Sequence, residues 1–340
     1  MCQIIHTLRA HDPAVDVVSL LGGIHKGVQK LEDFFAVSST TRRAGDVSRQ
    51  VLEQIYGEQQ ARAAGEEQQV TTGIDEFDRC LGGLFKGELL VLAGRPSMGK
   101  TALALHMALS AARKGKRICF FSLEMTERQL ISRLLCTMSG VEPDKLRFKQ
   151  LNADERARLD TASEELDRLP LFLNYCSGCN FEEIRAKTMA LHRRLALDLI
   201  IIDYLNLIQI NPAGRGEVKD TMDLALGDVC RRIKNLVMEA GVAGVLLAQL
   251  NRNCEARTDH VPVMSDLRNS GEIEQIADSI AFVYRPEHYR EYYDPKTRED
   301  LHGVGQLFVA KNRNGATGEI RFRYNNCLTQ IYPYKKNNLP

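Results

Sequence analysis

Gly94-Arg95-Pro96-Ser97-Met98-Gly99-Lys100-Thr101 decides how the rest of this 340-residue chain is read. These residues follow the phosphate-loop spacing of a glycine, four residues, then Gly-Lys-Thr. An unbroken apolar run, Leu89-Leu90-Val91-Leu92-Ala93, comes just before, and a good helix-forming stretch from Ala102 to Ala112 comes just after. Strand, loop, helix is the context that gives the spacing meaning. The glycines let the backbone curl so that its N–H groups face phosphate oxygens, and the helix N-terminus adds the positive end of a dipole. Gly94, Ser97, Met98, Gly99, Lys100 and Thr101 are therefore expected to hold a nucleoside triphosphate. Lys100 reaches its β- and γ-phosphates, and Thr101 holds Mg²⁺.

Working outward, five further apolar runs are short and largely non-alternating: Ile118–Ser122, Leu171–Asn174, Leu199–Asp203, Val245–Ala248 and Ile280–Tyr284. Strands of that kind are buried on both faces, as in a parallel sheet covered by helices. The period then changes. Gly305–Asn312 and Gly318–Tyr324 flank Asn314-Gly315, a hairpin turn signal. The expected fold is α/β, a mostly parallel sheet flanked by helices with a C-terminal β-hairpin.

Three of these runs end in groups suited to phosphate chemistry. Asp203 closes Leu199-Ile200-Ile201-Ile202, where a Mg²⁺-positioning acid belongs. The next residue is Tyr204, which cannot activate water, so a base must come from elsewhere. Glu124, in Phe120-Phe121-Ser122-Leu123-Glu124-Met125, is the candidate; the alternative is that it caps the helix beginning near Thr126-Glu127. Gln249 ends Val245-Leu246-Leu247-Ala248, where a neutral amide senses the γ-phosphate on one side and moves a loop on the other.

Composition narrows the partners. The chain is 44% hydrophobic and 26% charged with formal net charge +1, so no global field draws it to nucleic acid or membrane and any DNA site is a local patch. No apolar stretch reaches the roughly 18 residues needed to span a bilayer. Nine cysteines are scattered as in a cytoplasmic protein and read as reduced, small core residues. Cys176-Ser177-Gly178-Cys179 is the one close pair. Without a second pair or nearby histidines it lacks the zinc pattern, and it is read as incidental.

Seven segments occur in an order that is similar to one family. They are Gly73–Asp78, the phosphate loop, Phe121–Met125, Ile201–Tyr204, Gln249–Arg252, Ser265–Gly271 and Lys311–Gly315. Over about residues 65–335 the chain resembles the RecA-like motor domain of DnaB-type replicative helicases. That resemblance implies an ATP-driven hexameric ring moving 5′-3′ along single-stranded DNA. It implies that Glu124 is the catalytic base and that Arg133 helps hold the γ-phosphate. It also implies that Lys311 and Arg313 reach the neighbouring subunit's ATP. Residues two apart on a strand share a face, and paired cations suit an arginine finger with a helper.

Between Pro262 and Gly271 the sequence is polar. Arg268, Asn269, Ser270 and Gly271 are expected to form a flexible loop that grips DNA by its phosphates, indifferent to sequence. The resemblance places that loop in the ring's central channel, although most family members carry glutamate where this chain has Asn269. Towards the N-terminus, residues 1–44 read as a remnant of a helical domain, 45–69 as a linker helix and 70–335 as the motor. The remnant is too short to bury a core of its own, which sets against primase or loader contacts. Two classes stay open: an active helicase motor, and a RecA-like ATPase that acts as a nucleotide-switched binding module without unwinding.

Overall fold

The computed structural model describes residues 43–63, 69–209, 218–257, 259–267, 270–325, 327 and 329–334. The chain divides into two units, Met1–Gln68 and Gln69–Pro340. The first contributes one described element, helix α1 (Ala44–Ala63), with Asp46 in its first turn where the helix dipole favours an acid. Val51, Leu52, Ile55 and Tyr56 along it are exposed. The expected remnant within residues 1–42, and residues 64–68 of the expected linker, lie outside the described residues.

In the second unit the apolar runs become strands β1 (Leu89–Gly94), β2 (Ile118–Ser122), β3 (Leu171–Tyr175), β4 (Leu199–Asp203), β5 (Ala243–Gln249) and β6 (Ser279–Tyr284). All six are parallel, and β1 lies between β5 and β6. The sheet continues antiparallel through β7 (Val304–Asn312), β8 (Gly318–Tyr324) and β9 (Ile331–Pro333).

Side chains alternate between two apolar layers, because successive Cβ atoms of a strand point to opposite faces. Leu90 and Leu92 join Phe120, Ile201 and Leu247 in one layer. Helices α2 (Asp75–Leu81) and α3 (Lys100–Arg113) close that layer through Phe77, Leu103 and Met107. Helix α4 (Glu127–Ser139) adds Leu130 and Leu134, and α5 (Pro143–Phe148) and α6 (Ala153–Arg168) follow it. Val91, Phe121, Ile202 and Phe282 enter the opposite layer. It is covered by α7 (Phe181–Leu195) and α8 (Val218–Ala240), through Ile184, Ile233 and Val237. A short helix, α9 (Ser270–Ile276), adds Ile273 to it.

The hairpin expected around Asn314-Gly315 is present, with the connection between β7 and β8 spanning 313–317. The Asn312 side chain shapes it, its amide donating to Cys80 O at 3.0 Å and Ala316 O at 3.2 Å. A Cβ on Gly315 would stand 2.9 Å from Cys80 O, so the loop is fitted to the end of α2. One expectation needs correction, since the cysteines are not all reduced thiols. Cys176 and Cys179 are joined as a disulfide between β3 and α7, because the tight turn brings their Cα atoms to 5.5 Å.

Candidate nucleotide and nucleic-acid site

Parallel strands deliver their C-terminal ends to one edge of the sheet, and the predicted chemistry collects there. The loop leaving β1 curls through Gly99, whose φ of +88° a side chain would strain, and so enters α3. Lys100 Nζ folds back over the loop and donates to Gly94 O at 2.9 Å and Arg95 O at 3.0 Å. Burial lowers its pKa to about 8, opposed by the charges of Asp203 and Glu124 and reinforced by Arg95. Thr101 Oγ1 donates to Asp203 Oδ2 at 2.7 Å, joining the first turn of α3 to the end of β4.

Asp203 is 1% exposed. Burial pushes its carboxyl up to about 6, and Glu124 adds to the rise, against the Thr101 hydroxyl and the charges of Lys100 and Arg133. Arg133 lies exposed on α4, close enough for its charge to be felt at Asp203. A hydroxyl and a carboxylate side by side are the hard oxygen donors Mg²⁺ takes alongside phosphates. The donor set fits that ion.

Glu124 stands beyond β2 and is exposed, with its charge acting on Lys100, Asp203 and Tyr204. The strand end beneath it is tied to β4 by Leu123 N, which donates to Asp203 O at 2.8 Å. The capping alternative fails. Thr126 caps α4, accepting from Gln129 N while the Gln129 side chain accepts from Thr126 N. Gln249 ends β5 opposite Gly94 in the register, partly exposed at the same edge.

The segment after Gln249 is wired to the phosphate loop. Arg95, 8% exposed, donates to Leu250 O at 2.9 Å and to Glu255 Oε1 from both Nε and Nη2. Leu250 bridges to Leu267, and Asn251 N donates to Asp266 O at 2.8 Å. Arg257 grips both oxygens of Asp266, which is 1% exposed. Arg268 and Asn269 lie outside the described residues. Ser270 and Gly271 open α9 and do not continue a loop as expected. A Cβ on Gly271 would meet nothing within 4 Å, so packing does not demand a glycine there.

The hairpin cations do share a face, and within this chain both turn to the end of α9. Lys311 Nζ donates to Ala277 O at 2.7 Å and to Glu274 O. Arg313 donates to Asp278 Oδ1 at 2.9 Å and to Gln275 O. Asp278 also accepts from Leu89 N at 2.8 Å and Lys234 Nζ at 2.6 Å. Sequence reasoning misses Arg95, Asp278 and Arg285. Arg285 follows β6 and donates to Ser97 O in the phosphate loop at 3.1 Å. A signal for it exists, a polar residue closing an apolar run as Asp203 and Gln249 do.

Residues 69–332 match the family described as the DnaB-like helicase C terminal domain. The chain belongs to that family. This DnaB-like domain is 36% identical over 277 residues to the replicative DNA helicase DnaC of Bacillus subtilis (strain 168), covering 81% of this chain and 59% of that protein. It is 35% identical over 261 residues to the replicative DNA helicase DnaB of Geobacillus stearothermophilus, covering 76% and 55% respectively. The chain thus spans a little over half the length of these curated relatives. Among solved structures, one described as an ATPase domain superposes with a TM-score of 0.75 at 27% identity, covering 84% of this chain and 98% of that one. Another, of a DnaB-like replicative helicase described with its interactions with primase, gives 0.74 at 26% identity, covering 98% and 74%. The RecA-like fold of this DnaB-like domain follows from both. Among the described residues, no helix is long and apolar enough to cross a membrane.

Proposed function

We propose that this chain is the ATP-hydrolysing motor of a replicative DNA helicase, assembled as a hexameric ring that moves 5′-3′ on single-stranded DNA in the cytoplasm. The observation that carries the reading is the convergence of Lys100, Thr101, Asp203 and Gln249 on one sheet edge with Glu124 exposed beside them. Lys100 binds the β- and γ-phosphates, displacing its own bonds to the loop carbonyls. Arg133 adds a second cation at the γ-phosphate. Thr101 and Asp203 would hold Mg²⁺, which when bound offsets phosphate charge. Glu124 takes the proton of the attacking water. In a ring, Arg313 and Lys311 stabilise charge at the neighbour's site.

Hydrolysis reaches DNA through the wired segment. Loss of the γ-phosphate is sensed at Gln249, whose strand continues into Leu250 and so to Leu267 and the Arg268–Gly271 stretch. There the open surface at Gly271 admits close approach of a phosphate backbone, with Arg268 supplying charge. A second reading, a nucleotide-switched binding module, is favoured by one observation, the engagement of Lys311 and Arg313 within their own chain.

One experiment separates the two. ATP turnover and native mass are measured with and without single-stranded DNA across a salt series. The motor gives a hexamer, turnover stimulated by single strands of any sequence, and affinity that falls steeply with salt as counterions are released. Arg268→Ala weakens all sequences alike and makes that slope shallower. An assembled ring without DNA stimulation refutes the motor and leaves the binding module.

A further inference from the structure

We propose that Cys176 and Cys179 form a thiol–disulfide exchange site whose state adjusts the turn carrying Glu124. Its kinetic consequence rests on the reading of Glu124 as the base, and its thiol chemistry does not. The two sulfurs are joined in the structure, yet unequal in access, with Cys179 1% exposed and Cys176 partly exposed. Lys187 of α7 places Nζ 3.3 Å from Cys176 Sγ and 3.2 Å from Asn174 Oδ1. An ammonium in that position favours the thiolate, the reactive form in exchange. Glu183 opposes it from 3.7 Å, with its other oxygen held by the Asn180 amide at 3.2 Å.

The same three groups, Cys176, Cys179 and Glu183, are close enough to ligate a metal ion. The Lys187 charge on the shared sulfur works against a cation there, and a bonded sulfur pair offers no thiolate to a metal. Exchange is the chemistry these neighbours fit.

The pair stands next to the proposed catalytic edge. Cys176 N donates to Ser122 O at 3.0 Å. Ser122 Oγ in turn donates to Met125 O at 2.7 Å and accepts from Met125 N at 3.1 Å, closing the turn that presents Glu124. On its other side Cys179 O accepts from Gln209 N at 2.8 Å, at the end of the segment that follows Asp203. Closing or opening the 176–179 ring therefore pulls on the supports of both acids.

The co-reactant is a low-molecular-weight disulfide, RSSR. The Cys176 thiolate attacks one of its sulfurs, forming a mixed disulfide and expelling RS⁻. Cys179 gives up its proton to solvent, its thiolate attacks Cys176 Sγ, and the second RS⁻ leaves. Two cysteine thiols are oxidised while RSSR is reduced to two RSH. A dithiol reductant reverses both steps.

The test uses the full chain, reduced with dithiothreitol and then treated with oxidised glutathione. Thiols are alkylated and mapped by peptide mass, and ATP turnover is measured in both states. Cys176 and Cys179 should lose alkylation together while exposed Cys327 keeps it. Turnover should differ by about threefold or more, as expected for a sub-ångström displacement of a catalytic group, and the Cys176→Ser/Cys179→Ser variant should not respond. Lys187→Met should slow alkylation of reduced Cys176 by about tenfold, and Lys187→Arg should restore it. The proposal is overturned if the pair stays alkylatable in oxidant or if turnover is equal in both states. It is also overturned if the reduced protein retains one Zn²⁺ per chain that the double serine variant loses. Absence of hydrolysis in every form would instead count against the motor, with the thiol map still judging the exchange site.

Discussion

Replacing Arg313 by alanine separates two roles that the structure and the proposed ring assign to one side chain. Within its own chain the guanidinium bonds to Asp278 Oδ1 and Gln275 O, with the side chain 44% exposed. A half-exposed, charge-assisted contact of this kind contributes about 1–2 kcal/mol after allowance for solvent screening. Asp278 keeps Lys234 and Leu89 N, so no buried charge is stranded. Against a typical stability of about 5–15 kcal/mol, that loss leaves the population almost entirely folded. Unfolding thus accounts for no more than a small fall in turnover. An arginine finger is worth about 10³-fold or more. Turnover of Arg313→Ala should therefore collapse while ATP binding and folding persist, read by steady-state hydrolysis, nucleotide binding and urea melts. Mixing Arg313→Ala with Lys100→Ala subunits sharpens the test. At equal amounts about a quarter of interfaces in a cyclic ring join an intact Lys100 to an intact Arg313, and turnover should recover to about that fraction. Turnover within a fewfold of the parent, or no recovery although subunits exchange, refutes the shared site.

Glu124→Gln keeps the size of the side chain and removes the base, so ATP should still bind while turnover falls about 10²-fold or more; Lys100→Ala should lose binding as well. Near-normal turnover in the glutamine variant would point to another base. Asp266 supplies a pH test. Burial alone would raise its pKa, but the Arg257 hydrogen bond and the Val263 N–H outweigh burial, and the net shift is below the ordinary 3.8. A depressed carboxylate gives stability that is present above 3.8 and lost as pH falls through its folded value. Asp266→Asn should thus cost about 2–3 kcal/mol near neutrality by removing the buried carboxylate that Arg257 grips, leaving it Val261 O and the more distant Asp259, with the gap closing in acid. A gap that stays constant into acid would show that the carboxylate charge is not what holds the segment.

The parallel strands are legible because each reads as an unbroken apolar run, although only the five inner ones are buried while β3, at the sheet edge, is half-buried. Asp203, Glu124 and Gln249 are legible as the polar residues closing or following such runs. The 2.7 Å approach of Thr101 to Asp203 joins two motifs that the sequence assigns to one ion. Long-range polar partners are not legible. Nothing local in Arg95 announces Glu255, and nothing in Asp278 announces Lys234, since hydrogen bonding across distant segments leaves no periodicity. Asn314-Gly315 marks the hairpin correctly, whereas the contacts that shape its loop, Asn312 and the approach to Cys80, come from a distant segment and leave no local signal. The cysteine spacing is visible, but the pairing depends on the turn between β3 and α7, which spacing alone does not fix.

Lys311 and Arg313 are held mostly by main-chain oxygens, those of Glu274, Gln275 and Ala277. Every residue type carries that oxygen, so the docking place is indifferent to which side chains α9 displays. Substitution along the outer face of α9 can therefore accumulate without unseating the two cations. Only changes to the path of the backbone, such as an inserted residue or a proline, would shift the oxygens they rest on. Among the described residues, the one side chain that accepts from them is the Asp278 carboxylate, so substitution there is the side-chain change that removes a partner outright. Lineages of this domain are free to remodel α9 for new nucleic-acid contacts while inheriting the hairpin unchanged.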